Sequence, residues 1–282
     1  MPKFGAHAFV WIGDWHTDLG NDTIKKAAKA GFDFLEIPVL DPYHFEASSH
    51  RAALKKHKLA ATCSLALPRN MHLPKHPKRA KKFLEKALEQ VEAVGSQHLG
   101  GCTAYSLGVL TGTGPTREEI QTVIDVLGPL AQKAHSKGIT LYLEACNRYE
   151  TYMFNTLEDT RKTILEIGAP NLRLHADTYH MNIEEEGFYK PFLATKDVLG
   201  YIHMSESHRG MVGTGTVNWD EVFKALHDIK FDGFLVLESF AAMNEAIKAA
   251  TCLWRAPKHK GAALAAGGLK VLQEGAAKAG LI

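Results

Sequence analysis

Thr140-Leu141-Tyr142-Leu143-Glu144 is an apolar run closed by a carboxylate, and three later runs close on a residue of the same kind. Leu172-Arg173-Leu174-His175-Ala176-Asp177 ends on Asp177, Gly200-Tyr201-Ile202 leads to His203, and Phe234-Leu235-Val236-Leu237 leads to Glu238. The gaps between the closing residues are 33, 26 and 35 positions (177−144, 203−177, 238−203), each close to one strand-helix-strand repeat. A parallel barrel gathers such strand ends at one mouth, where that architecture keeps its chemistry. Three oxygen donors and one imidazole on adjacent strands read as a site for a catalytic divalent cation. Taken singly, a strand-end Glu is most often a surface charge or a helix-cap partner, and a lone His a satisfied polar group. Four in successive units are another matter, because burying unpaired charge without a common partner is costly.

Outward from these runs the same alternation continues. Further apolar runs lie near 4–11, 34–39, 59–67 and 98–103, and helical patterns occupy 24–30, 80–94, 117–136, 157–167 and 219–228. Gly31, Gly95, Gly138 and Gly168 stand where helices need left-handed caps, and Thr116-x-x-Glu119 is a capping box. Eight strands alternating with helices predict an α/β protein, a (β/α)8 TIM barrel in one domain. An open doubly wound sheet is disfavoured, since no G-x-G-x-x-G follows the first strand. The barrel is assigned to 1–255. Beyond it, 256–282 is rich in Ala and Gly and is expected to form a terminal helix with a loosely ordered tail.

Composition narrows the function classes. The chain has 282 residues, 45% of them hydrophobic, and a formal net charge of +2, which gives no reason to expect a nucleic-acid partner. The basic stretch 69–86 places its Lys and Arg opposite Phe83, Leu84 and Leu88 at helical spacing, so it reads as a solvated helix face. Histidines away from the strand ends, including His72 and His76, are expected at the surface. Cys63, Cys102, Cys146 and Cys252 form no close pair in sequence, as suits a reducing compartment. The N-terminus lacks the apolar core of a secretion signal, and no run reaches the ~18 apolar residues of a membrane span, so a cytoplasmic protein without a membrane partner is expected.

Two longer strings carry a resemblance. Leu143-Glu144-Ala145-Cys146-Asn147-Arg148-Tyr149-Glu150 and Asp177-Thr178-Tyr179-His180-Met181-Asn182-Ile183-Glu184-Glu185 resemble the ketose 3-epimerases, the tagatose, psicose (allulose) and L-ribulose 3-epimerase group of the xylose-isomerase-like barrels. His203-Met204-Ser205-Glu206-x-x-Arg209, Gly213-x-Gly215-x-Val217-x-Trp219 and Glu238-Ser239-Phe240 extend it, from about residue 3 to 254. The resemblance implies a metal held by Glu144, Asp177, His203 and Glu238, with Glu144 and Glu238 doubling as the acid/base pair. It implies substrate contacts around O1 to O3 from Glu150, His180 and Arg209, and a pocket wall at Trp15. It departs at His7, where the family often carries an aromatic, so His7 is expected near the far end of the sugar. A small-molecule ketose is the implied substrate and a homodimer or homotetramer the implied assembly.

The chemistry of the residues agrees independently. A hydrogen beside a ketone is too weakly acidic for a side chain alone, and a cation on the neighbouring oxygens would stabilise the developing cis-enediolate. One carboxylate then removes the C3 proton and a second, from the opposite face, returns one. Carboxylates on predicted strands five and eight suit that inversion better than aldose-ketose isomerisation, the first alternative. A carboxylate-rich set with one imidazole favours Mn²⁺, with Mg²⁺ or Co²⁺ workable. Gly213-x-Gly215 and Thr111-Gly112-Thr113-Gly114 lack the Lys of a phosphate loop and read as turns, which points to a free sugar. Two more distant alternatives are a metal-dependent phosphodiesterase resembling endonuclease IV and a sugar-binding protein without turnover.

Overall fold

Several helices in this chain stop at a left-handed residue, and a strand follows within a few positions. Gly31 (φ 91°) and Gly95 (φ 89°) cap two of them, a conformation that costs glycine nothing. The structure, a computed structural model, describes residues 1–242 and 244–282. Its strands are β1 (Lys3–His7), β2 (Phe34–Pro38), β3 (Ala60–Ala66), β4 (His98–Cys102), β5 (Thr140–Glu144), β6 (Leu172–Asp177), β7 (Leu199–Ser205) and β8 (Phe234–Glu238). They close into one barrel in sequence order, every pair parallel, with β8 returning to β1. This is the expected (β/α)8 barrel.

The helices are α1 (Thr17–Ala30), α2 (Ala47–His57), α3 (Pro77–Val94), α4 (Arg117–Ser136), α5 (Leu157–Ile167), α6 (Thr178–Glu184), α7 (Tyr189–Thr195), α8 (Trp219–Asp228), α9 (Glu245–Thr251) and α10 (Gly261–Lys278). The ranges 117–136, 157–167 and 219–228 coincide with the sequence expectation, each begun by a side-chain cap from Thr116, Thr156 or Asn218. Other boundaries differ. α1 starts at Thr17 rather than near 24, because its first turn is polar and Leu19 lies exposed, leaving no apolar period to read. The run 4–11 leaves the sheet at His7, whose Nδ1 accepts the Phe9 N–H and turns the chain into a short 3-10 segment. No helix is long and apolar enough to cross a membrane among the described residues.

The Ala/Gly-rich segment forms a terminal helix. α10 is an 18-residue helix whose buried stripe, Leu264, Ala265, Gly268, Leu269, Leu272 and Ala276, packs on α1, α8 and β8. Its glycines permit close approach: a Cβ on Gly268 would lie 2.6 Å from the Leu237 side chain. The helix therefore fills the place between first and last helices of the ring.

Two cores result. The main one lies between sheet and helices. A small second one, Phe34, Tyr142, Tyr201 and Val236 with Phe234, plugs the barrel interior. Side chains on a strand repeat their direction every second residue. Two positions beyond Phe34, Tyr142, Tyr201 and Val236 stand Glu36, Glu144, His203 and Glu238, so an apolar floor carries an ionisable layer above it.

Leu272 is fully buried, so Leu272→Ala should cost roughly 2–5 kcal/mol, the usual range for such a cavity. Denaturant unfolding of the two proteins measures it, and a difference below the error would mean that α10 adds little to the barrel.

Candidate active site

Parallel pairing sets the strand ends level. Asp177 is in register with His203, and Ser205 with Glu238, so the four residues singled out from sequence come together at the C-terminal mouth. All four are buried. His203 Nδ1 lies 3.7 Å from Glu144 Oε1, 3.9 Å from Asp177 Oδ2 and 3.5 Å from Glu238 Oε1. Asp177 divides its carboxylate: Oδ1 accepts the Tyr179 N–H and caps α6, while Oδ2 faces the cluster. Among the described residues neither Asp177 Oδ2 nor His203 Nδ1 has a hydrogen-bond partner. Two buried donor atoms without partners, ringed by two more carboxylates, form a set that could hold a cation.

Electrostatics point the same way. Burial, together with the adjacent Glu238, pushes Asp177 well above the ordinary carboxylate range. Burial opposes the charge of His203, yet Glu36 and Glu238 raise it well above a normal imidazole. A divalent cation among these groups could take the place of the protons on Asp177 and His203. Burial also opposes ionisation of Glu238, but Arg209, in direct contact, keeps it below its usual value.

A residue that sequence reasoning missed orients the imidazole. Glu36, fully buried on β2, has Oε2 2.8 Å from His203 Nε2 and accepts the Tyr201 hydroxyl at 2.7 Å; Thr62 in turn donates to Tyr201. With Nε2–H given to Glu36, Nδ1 is the nitrogen turned to the cage, and on losing its proton it would offer a lone pair there, as an outer-shell carboxylate arranges for a metal-binding imidazole. The signal was present in Phe34-Leu35-Glu36-Ile37-Pro38, a charge inside an otherwise apolar strand. His175 was missed too. Two residues before Asp177 on the same face of β6, it lies 3.8 Å from Glu144 Oε2, and burial takes it down to about 4, so it is neutral.

The remaining predicted residues surround one cavity of about 520 Å³, a volume suited to a small ligand. His7, Trp15, Glu144, Glu150, His180, His203, Arg209 and Glu238 line it, whereas Asp177 sits beneath. His180 Nδ1 accepts the Asn147 N–H, which leaves Nε2 directed at Asp177 Oδ2, 3.6 Å away. Arg209 contacts Glu238 and lies 3.5 Å from Glu150 Oε1, sandwiched between Tyr179 and Phe240 with its guanidinium carbon 4.4 and 4.8 Å from the ring centres. Its backbone is left-handed (φ 55°), held by Ser239 and Phe240 donating to its carbonyl. Trp15 donates to His50 and forms part of an apolar wall with Phe9, Leu107 and Ile247. His7 Nε2 stands 3.7 Å from Glu36 Oε1 and 3.4 Å from Ser64 Oγ.

Two expectations outside the cage resolve differently. His72 is not a surface residue: it is buried, accepts the Ser106 N–H and bonds Tyr152, whose hydroxyl donates to Glu119; His76 is exposed. The Gly213-x-Gly215 segment is a turn, as expected, and it wraps the buried Glu206, which accepts the N–H groups of Ser207, Gly213 and Val217 and the Trp219 indole.

Comparison with known proteins sets this geometry in context. The family model described as xylose isomerase-like TIM barrel matches residues 24–258. An L-ribulose 3-epimerase of Methylomonas sp. (strain DH-1) is 36% identical over 278 residues, covering 96% of this chain and 97% of that protein. A ketose 3-epimerase of Arthrobacter globiformis is 36% identical over 244 residues, 85% of this chain and 84% of its own. The crystal structure of a Methylomonas sp. D-allulose 3-epimerase in complex with D-allulose superposes with a TM-score of 0.93 at 36% identity, over 97% of this chain and 96% of that one.

Replacing Glu36 by Gln removes the charge that fixes His203 while keeping the shape. Affinity for a divalent cation should fall by roughly 10- to 100-fold, the usual cost of losing an outer-shell partner. Calorimetric titration of both proteins decides it, and equal affinities would remove Glu36 from the account.

Proposed function

The chain belongs to the xylose isomerase-like TIM barrel family and, within it, is a ketose 3-epimerase relative of the isomerase class, and from that premise we propose a cation-dependent inversion at C3 of free ketoses. Ketoses of the ribulose/xylulose, fructose/psicose and tagatose/sorbose type are the substrate class. One observation carries the reading: carboxylates from β5 and β8, three strands apart in the ring, both approach the same His203 Nδ1, at 3.7 and 3.5 Å. Inversion needs acids on both faces of one carbon, and two carboxylates from well-separated strands support that reading.

Glu144, Asp177, His203 and Glu238 are assigned as ligands, with Mn²⁺ the preferred ion and Mg²⁺ or Co²⁺ workable. Bound there, the ion supplies electrophilic stabilisation of negative charge on the oxygens beside the reacting carbon. The protein does the rest. Of Glu144 and Glu238, one removes the C3 proton and the other delivers a proton to the opposite face, and the reverse reaction exchanges their parts. Arg209 locks the Glu238 carboxylate and, with Glu150 and His180, offers donors and an acceptor to the O1–O3 end of the sugar. His180 suits that task because its Nε2–H is oriented by the Asn147 contact. Trp15 and the apolar wall hold the carbon chain and limit water. His7 stands on β1 at the cavity, where a histidine in place of an aromatic bears on which ketose fits.

In deuterated water, label should enter at C3 of an accepted ketose, and a panel of ribulose, fructose, psicose and tagatose identifies the preferred one. Glu144→Gln and Glu238→Gln should each lower turnover by at least ~10²–10⁴-fold with the fold retained, as loss of an acid/base group does. Chelation should abolish turnover and Mn²⁺ should restore it best. Wild-type rates in either variant, or full activity of metal-stripped protein, would refute the roles given.

A further inference from the structure

Glu144 faces two neighbourhoods. Its Oε1 lies toward His203 and His180, at 3.7 and 4.0 Å. Its Oε2 lies 3.8 Å from Cys102 Sγ, which is itself 3.9 Å from Cys146 Sγ. Ligand atoms of Cys102, Glu144 and Cys146 all fall within 4.8 Å of one another, and the three residues are buried and line the cavity. The fold brings them together simply. Cys102 is the last residue of β4, Glu144 the last of the neighbouring β5, and Cys146 follows two positions on. Inversion at C3 makes no use of either thiol.

The spacing distinguishes two fates for such a pair. Two sulfurs bound tetrahedrally to one zinc at ~2.3 Å stand about 3.8 Å apart, whereas a disulfide requires ~2.0 Å. The observed 3.9 Å, at which the two thiols hydrogen-bond, is close to the first and excludes the second. Glu144 Oε2, which accepts from Cys102 Sγ at 3.8 Å, supplies a third donor within 4.8 Å of the others, and all three residues border the cavity, from which a small ligand could complete the set. We propose that Cys102, Cys146 and Glu144 Oε2 form a second cation site, selective for thiophilic divalent ions such as Zn²⁺ and Cd²⁺, next to the oxygen-rich cage and sharing Glu144 with it.

Soft thiolates select against Mg²⁺ and Mn²⁺, so the two sites differ in the ions they take. On binding, each thiol loses its proton, two sulfur-metal bonds form, two protons pass to solvent, and nothing is oxidised or reduced. Occupation draws Glu144 toward the sulfurs and inhibits turnover. That consequence rests on the proposed role of Glu144 as an acid/base group; the binding itself does not.

The test uses the reduced full-length chain carrying Cys252→Ser, which removes the exposed thiol. Titration with Cd²⁺ should give thiolate-to-cadmium ultraviolet absorption that saturates at one equivalent. Cys102→Ser and Cys146→Ser, each checked for native near-ultraviolet circular dichroism, should lose it and weaken binding by at least the roughly 10- to 100-fold that even an outer-shell loss costs. No absorption in the parent protein overturns the proposal whatever the variants do, and so does absorption that survives in both. Absorption without C3 label exchange in any ketose would sink the epimerase reading and leave the cation site standing; exchange without absorption would do the reverse.

Discussion

Like charges brought together out of water are what the rest of this molecule has to accommodate. Glu36, Glu144, Asp177 and Glu238 are all buried about one imidazole, and Arg209 is the permanent cation in contact with the set. At short range in a poorly polarisable interior such an assembly is unfavourable unless each oxygen is met by a donor or a cation. The chain meets most of them itself. Glu36 takes the Tyr201 hydroxyl and His203, Asp177 takes a helix N-terminus, and Glu238 takes the guanidinium. One oxygen of Asp177 and one nitrogen of His203 are left facing the cage without a hydrogen-bond partner among the described residues, as is the second oxygen of Glu36.

The barrel makes this concentration affordable by separating its tasks in height. Phe34, Tyr142 and Tyr201, with Val236 on β8, fill the interior, so the ionisable layer two residues above rests on solid packing. The helical shell carries the larger apolar core, and α10 completes it between α1 and α8. Stability and chemistry thus occupy different radii and different ends of the same strands, as is usual for this architecture.

How much of this could be read from the chain depends on distance along it. The eight-unit alternation and the four strand-end ionisable residues were legible because each signal is local: an apolar run, a terminal polar residue, a repeat of roughly constant length. Glu36 was not, since one acid in a strand has many bland explanations and its partner lies 167 positions away. The Cys102–Cys146 proximity escaped for the same reason: the residues are 44 apart in sequence and meet only because β4 and β5 are neighbours. The start of α1 was lost because its first turn faces solvent. His72 looked like a surface residue inside a basic stretch, and only the fold reveals the Tyr152 hydroxyl waiting for it.

The loop closed around Glu206 has a further meaning. Four donors converge on that single carboxylate, and the segment they bind includes the left-handed turn at Arg209. The place of the guanidinium, against Glu238 and between Tyr179 and Phe240, is therefore set by the fold of the chain itself. A guest entering the cavity loses its own freedom but does not have to order its host, and preorganisation of this kind converts more of each contact into affinity.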